Sequence, residues 1–251
     1  MAAPTLFAEG ATATGVTTGV PSVTIPTHQA DDILIVTAVF FTSSGTNQAD
    51  VPTPTGWTLM VQQFTIDHLS AFSDSGAIAI FYRRATGAGT TVTLTRGSGW
   101  DTGTDTVFNA RAYVVRGCIN TGTPWDAIGC APSVSGVAYK SADQNIPNVT
   151  VSGSERTVII FGISSDNAAF AMTSSGWTAG TEDNDAGGLD SSFQTIRKEN
   201  VSSSTTAQAA TVSAPAQGGY GYFGVSFKPP LNPPATSHSL IMQAVNRAAV
   251  Y

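Results

Sequence analysis

Apolar and polar residues alternate with a period of two through most of the chain, which predicts strands rather than helices. In the first half the pattern marks SVTIP at 22–26, ILIVTAVFF at 33–41, WTLMVQQFT from Trp57, GAIAIFYRRA at 76–85, TTVTLTR at 90–96 and VFNARAYVVRG at 107–117. The run at 33–41 is apolar or β-branched throughout, too continuous for a strand with one wet face, so it belongs centrally between two sheets. The segments separating the runs, THQADD, PTGWT, SDSG, TGAG and GSGWDTGTD, carry turn chemistry.

The second half follows the same plan with weaker strands. PNVTVS at 147–152 matches the first short strand, TVIIFGIS at 157–164 matches ILIVTAVFF, and SGWT matches TGWT. SFQTIRKEN at 192–200, AQAATVS, and GYGYFGVSFK at 219–228 then correspond to IAIFYRRAT, TTVTLT and FNARAYVVRG. Five elements recur in one order, so residues 1–228 read as a duplicated antiparallel unit with half-repeats at about 20–117 and 146–228. Each half has roughly five strands and one apolar face that must be covered. The expected architecture is therefore all-β: a single antiparallel, jelly-roll-like sandwich of about ten strands. Two separate domains of this size are the alternative. The join at 131–145 is not low-complexity, which favours one body.

Beyond Lys228 the character changes. PPLNPPATSHS lacks donors for a sheet ladder and predicts an extended, polyproline-like segment, so 229–251 forms a C-terminal arm. It ends in LIMQAVNRAAVY, where Ile241, Ala244, Val245 and Ala248 share one helical face. With Leu240 they are the candidate partner-docking residues, ordering against a neighbouring subunit; a frayed tail is the alternative.

Composition narrows the function. The chain of 251 residues is 41% hydrophobic and only 11% charged, with net charge −6 and its basic residues scattered, which leaves no electrostatic footprint for nucleic acid. No apolar run approaches the roughly 20 residues that a membrane span requires. The start, MAAPTLFAEG, has no basic region followed by an apolar core, so no secretory signal is expected and synthesis is placed in a cytosol. Cys118 and Cys130 flank CINTGTPWDAIGC; a cytosolic setting favours two buried thiols over a disulfide.

Catalytic and metal chemistry is sparse. His28, His68 and His238 show no ligand spacing, and no nucleophile elbow, phosphate loop or dinucleotide fingerprint is present, so neither an enzyme nor a cofactor is expected. Glu182, Asp183, Asp185 and Asp190 in one loop, and Asp101 and Asp105 in another, could supply oxygens to calcium, but they lack EF-hand spacing and read better as solvated turn carboxylates. Trp57 and Trp177 each follow a turn glycine at matching positions and are expected to be buried as plugs of the sandwich ends. Trp100, in a Gly/Asp loop, is the candidate ligand platform for a sugar or partner.

PTGWT, FYRRATGAGTTVTL and above all AYVVRGCINTGTPWDAIG make residues 20–228 resemble a duplicated β-sandwich met in bacteriophage virion proteins and in some bacterial surface proteins. In those proteins a similar order runs: a long apolar strand, Pro-x-Gly-Trp, Tyr-Arg/Lys-x-Ala, then Tyr-x-Gly-x-x-x-x-x-Pro-x-Asp-Ala, where this chain has Arg116-Gly117-Cys118 in place of the more usual small or aromatic residues. The resemblance implies a structural role in the virion, at the head surface as a decoration protein ahead of the tail, in symmetric contact with other capsid or tail subunits. A carbohydrate-binding or receptor-binding module using Trp100 and the 181–190 loop is the competing expectation.

Overall fold

A computed structural model describes residues 2–16, 19–42, 51–64, 75–87, 89, 91–97, 106–131, 145–146, 148–164, 172–185, 191–202, 208–209, 211–212 and 220–231. The described residues are strands and connections with no helix. In the first half lie β1 (Thr5–Glu9), β2 (Ala13–Val16), β3 (Ser22–Thr24), β4 (Ile33–Thr42), β5 (Thr58–Phe64), β6 (Ser75–Arg84), β7 (Thr91–Thr93) and β8 (Thr106–Arg116). The second half holds β9 (Trp125–Ala131), β10 (Asn145–Ile146), β11 (Arg156–Ser164), β12 (Met172–Thr173), β13 (Thr178–Ala179) and β14 (Asp183–Asp185). It closes with β15 (Ser191–Val201), β16 (Gln208–Ala209), β17 (Thr211–Val212) and β18 (Tyr220–Phe227).

Two six-stranded antiparallel sheets carry the fold. One runs β1-β8-β4-β6-β5, with β2 also on β8; the other runs β9-β18-β11-β15-β13, with β14 also on β15. Read outward from the central strand, the two orders match strand for strand. The edge strands β1 and β9 complete the match, and sequence patterning missed both. TLFAE is short and charged, and Asp126 and Gly129 interrupt alternation in WDAIGCA.

The sheets pack together as a sandwich, and parity along the strands shows how. Ile33, Ile35 and Val39 of β4 face Ile159, Phe161 and Ile163 of β11 in one core, joined by Ile78, Ile80, Tyr113, Val115, Phe193, Phe223, Val225 and Phe227. Rings interlock there, Tyr113 edge-on to Phe161 at 5.1 Å and Tyr82 edge-on to Trp125 at 4.4 Å between centroids. Gly221 allows a close approach, since a Cβ there would sit 2.6 Å from Ile78 Cδ1. Each such fully buried side chain contributes roughly 1.5–3 kcal/mol.

The outer faces of both sheets are also buried. Leu34, Val36, Ala38 and Phe40 point away from the seam into a second core, roofed by the short ladder of β3 on β7 and by Val51 and Trp57. In the other half Val158, Ile160 and Tyr222 meet Val149, Val151 and Met172 in a third core. Burial on both faces through residues 33–40 is the physical reason that this stretch reads as an unbroken apolar run.

Candidate functional site

Buried charge is the feature an all-β interior least tolerates, so each instance identifies a place where the chain needs polar chemistry. The largest cluster lies in the seam between the sheets. Arg111 shares parity with Tyr113 and Val115 on β8 and is buried. Its Nε donates to the Gly10 carbonyl at 2.7 Å, and Nη1 donates to the carbonyls of Thr181 at 2.8 Å and Phe193 at 3.1 Å. Glu9 and Asp183 stand 3.9 Å from its Nη2 and Nε, respectively. Glu9 in turn accepts the Thr181 N–H at 2.8 Å and the Thr195 hydroxyl, while Asp183 accepts the Thr12 N–H at 2.6 Å. The segment around residues 9–12 is thus bonded to β8 on one side and to the second half on the other. Gly180 is the close-approach residue, because a Cβ there would overlap the Thr195 hydroxyl and the Glu9 carboxylate.

Two further clasps close the ends of the central strands. In the first half Asp32, buried just before β4, takes Arg116 Nη2 at 2.8 Å and Nε at 3.0 Å, and this bonding holds the guanidinium above its usual value. Phe7, the extra residue of a bulge in β1, lies under Arg116 with the guanidinium carbon 3.4 Å from the ring centroid. Ile33 faces Val115 in one half and Thr157 faces Phe227 in the other, so positions 32 and 116 correspond to 156 and 228. The second half therefore sets two cations, Arg156 and Lys228, where the first sets an acid and a base. Asp126 from the edge strand β9 pairs with both, 2.7 Å from Arg156 Nε and 3.9 Å from Lys228 Nζ.

Lys228 also begins the proline-rich segment. Its N–H donates to the Pro124 carbonyl at 2.8 Å and its carbonyl accepts the Ile119 N–H at 2.9 Å. Pro229 is buried against the body, and two residues later Leu231 is two-thirds exposed.

The candidates named from sequence fall unevenly. Leu240, Ile241, Ala244, Val245 and Ala248, the ligand candidate Trp100, and also Asp101, Asp105, Asp190, His68 and His238 lie outside the described residues. Trp57 is buried in the first half's outer core and Trp177 is half-buried against the second's. Cys118 is a buried free thiol. Of the acidic loop, Asp183 is engaged with Thr12 and Arg111, and among the described residues no group of three or more metal-ligating side chains converges. His28 sits between two turns, its ring nitrogens 2.8 Å from the Pro26 carbonyl and 2.9 Å from the Gly87 carbonyl. Strand patterning alone does not mark the seam around Arg111; the signal it offers is a lone arginine at an inward-facing position of an apolar strand.

The fold and its clasps define a two-half, all-β sandwich protein whose buried charged groups brace strand ends and the inter-sheet seam. Comparison with protein-family models, curated proteins and solved structures finds no match.

Proposed function

We propose that this chain is a non-enzymatic structural component of a bacteriophage virion, a head decoration or capsid-associated protein ahead of a tail component, that assembles with itself and its neighbours through its C-terminal arm. The observation that carries this reading is the anchored root at Lys228. Two backbone bonds and the Asp126 carboxylate fix the point at which the chain leaves the body. A segment delivered from a fixed root loses less freedom on docking than one from a frayed end, and arms of this kind commonly fasten symmetric assemblies. The engagement of Arg111, Glu9, Asp183, Asp32 and Asp126 in bracing bonds supports a mechanical rather than a catalytic interior. Sheet edges give such a protein further means of contact. β5 pairs only with β6 among the described residues and carries the exposed Leu59.

Truncation after Leu231 tests the proposal while leaving the buried Pro229 in place. The shortened protein should melt at the temperature of the full chain yet fail to join particles when it replaces the full-length protein during phage growth. Incorporation at full occupancy would remove the arm from the assembly mechanism.

A further inference from the structure

The outer end of the first half's core opens into a groove of about 320 Å³ between the turn at Pro54 and β7. Its lining combines three chemistries. Thr53, Thr55, Thr91, Thr93 and Thr95 bring hydroxyls, Pro54 and the indole of Trp57 bring apolar surface, and Arg83 brings the one charge. Along β7 and the residues just after it, Val92 and Leu94 are buried in the core, while Thr91, Thr93 and Thr95 are exposed on the open side.

Arg83 is the informative residue. Its guanidinium lies over the Trp57 ring at 5.0 Å, and its buried Nε has no hydrogen-bond partner. Each of the other arginines that brace the fold, Arg111, Arg116 and Arg156, bonds to a carboxylate or to carbonyls, whereas among the described residues Arg83 has no ion-pair partner. A guanidinium beside an indole keeps its planar N–H fork, the geometry that carboxylates match with two parallel bonds. The second half does not repeat the arrangement. Thr58 faces Tyr82 and Thr178 faces Arg197, which brings the exposed Lys198 to the register of Arg83, a point charge without a fork.

We propose that this groove is a saccharide-binding site whose ligand carries a carboxylate, with Arg83 holding the carboxylate and the threonines meeting sugar hydroxyls. A volume of this order suits a small ligand, and a few placed polar groups against an aromatic wall is the general pattern of such sites. An acidic peptide is the competing class. The lining favours sugar, because β7 has only three residues in its ladder, too short an edge to template an added strand, and five of the nine lining residues are threonine. The site stands apart from the proposed role in assembly, since a chain absent from particles can still bind and a chain present on them can fail to.

Calorimetric titration of the full chain with trigalacturonate and 3′-sialyllactose, their neutral counterparts galactotriose and lactose, sodium acetate, and an Asp/Glu-rich peptide tests the proposal. At least one acidic sugar should bind saturably, with its neutral counterpart weaker by roughly tenfold or more, as expected for loss of a charge-assisted pair. Arg83→Gln should lose the same factor, and Arg83→Lys should fall between. A melting temperature unchanged in Arg83→Lys confirms that binding and not folding is read. Failure of both acidic sugars, equal binding of the neutral sugars, equal affinity of Arg83→Gln, or preferential binding of the peptide or of acetate would each overturn it.

Discussion

Trp57 and Trp177 occupy the same turn in the two halves of the molecule. Each donates its backbone N–H to the carbonyl three residues earlier, Pro54 at 3.0 Å and Ser174 at 3.2 Å, and each follows a glycine in the left-handed region, Gly56 at φ 77° and Gly176 at φ 78°. The two glycines meet nothing within 4 Å where a Cβ would stand, so replacing either by alanine costs only backbone strain. Gly56→Ala and Gly176→Ala should each lower stability by about 1–2 kcal/mol. Urea midpoints of the two variants would show it, and costs that differ widely would break the equivalence. The indoles themselves should differ, because Trp57 is buried and Trp177 half-buried. Trp57→Ala should cost about 3–5 kcal/mol, and Trp177→Ala clearly less.

The seam around Arg111 predicts strong coupling. Arg111→Ala strands two carboxylates and three carbonyl partners, so a loss of about 3–5 kcal/mol is expected. Glu9→Ala combined with it should cost less than the sum of the two single changes, because both break one network. Gly180→Ala should also destabilise by forcing Thr195 and Glu9 apart. Additivity of Arg111→Ala and Glu9→Ala in denaturant melts would mean that the seam is not a unit.

Asp126 predicts an acid limb. Burial alone would raise its carboxyl, but the bonds from Arg156 and Ser152 outweigh burial and hold the group below the usual carboxylate range. A carboxyl depressed on folding stabilises above its unfolded value, about 3.9. That stabilisation is lost as pH falls through the folded value. Asp126→Asn should therefore be less stable than wild type at pH 7 by about 1–3 kcal/mol, and the gap should narrow as the pH drops below ~4. A gap that stays constant between neutral and acid pH contradicts the pairing.

Cys118 predicts a silent thiol. Burial pushes its ionisation up to about 12, so almost no thiolate is present near neutral pH. In a Cys130→Ser background the folded protein should resist iodoacetamide at pH 8 and label fully in denaturant. Labelling of the folded protein at the rate of a free thiol would show that the site opens.

The strands were legible because burial dictates alternation. The runs at 33–41, 76–85, 107–117, 157–164 and 192–200 match strands of the two main sheets to within one residue at their ends. Alignment of the halves at 192–200 needed a shift of one residue, since the inward residue matching Ile80 is Thr195, and only the pairing of Thr58 with Tyr82 and of Thr178 with Arg197 fixes it. β1 and β9 escaped notice because an edge strand pairs on one side only and need not alternate cleanly. The clasps were harder still. Asp126 meets Arg156 and Lys228 across 30 and 102 residues of chain, a proximity that the strand order creates and that no local spacing announces. Trp57 shows the limit from the other direction: the Gly-Trp-Thr repeat marks matching turns, but only the fold reveals that one of the two indoles lies beside an arginine with no ion-pair partner among the described residues, at an open groove.

The virion assignment is tested most directly by electron microscopy of negatively stained, purified phage particles labelled with gold-conjugated antibody against this chain. Gold at regularly repeated positions on the head, in particles washed free of lysate, is the predicted result. Unlabelled particles, with the protein recovered only in the soluble lysate, would contradict it.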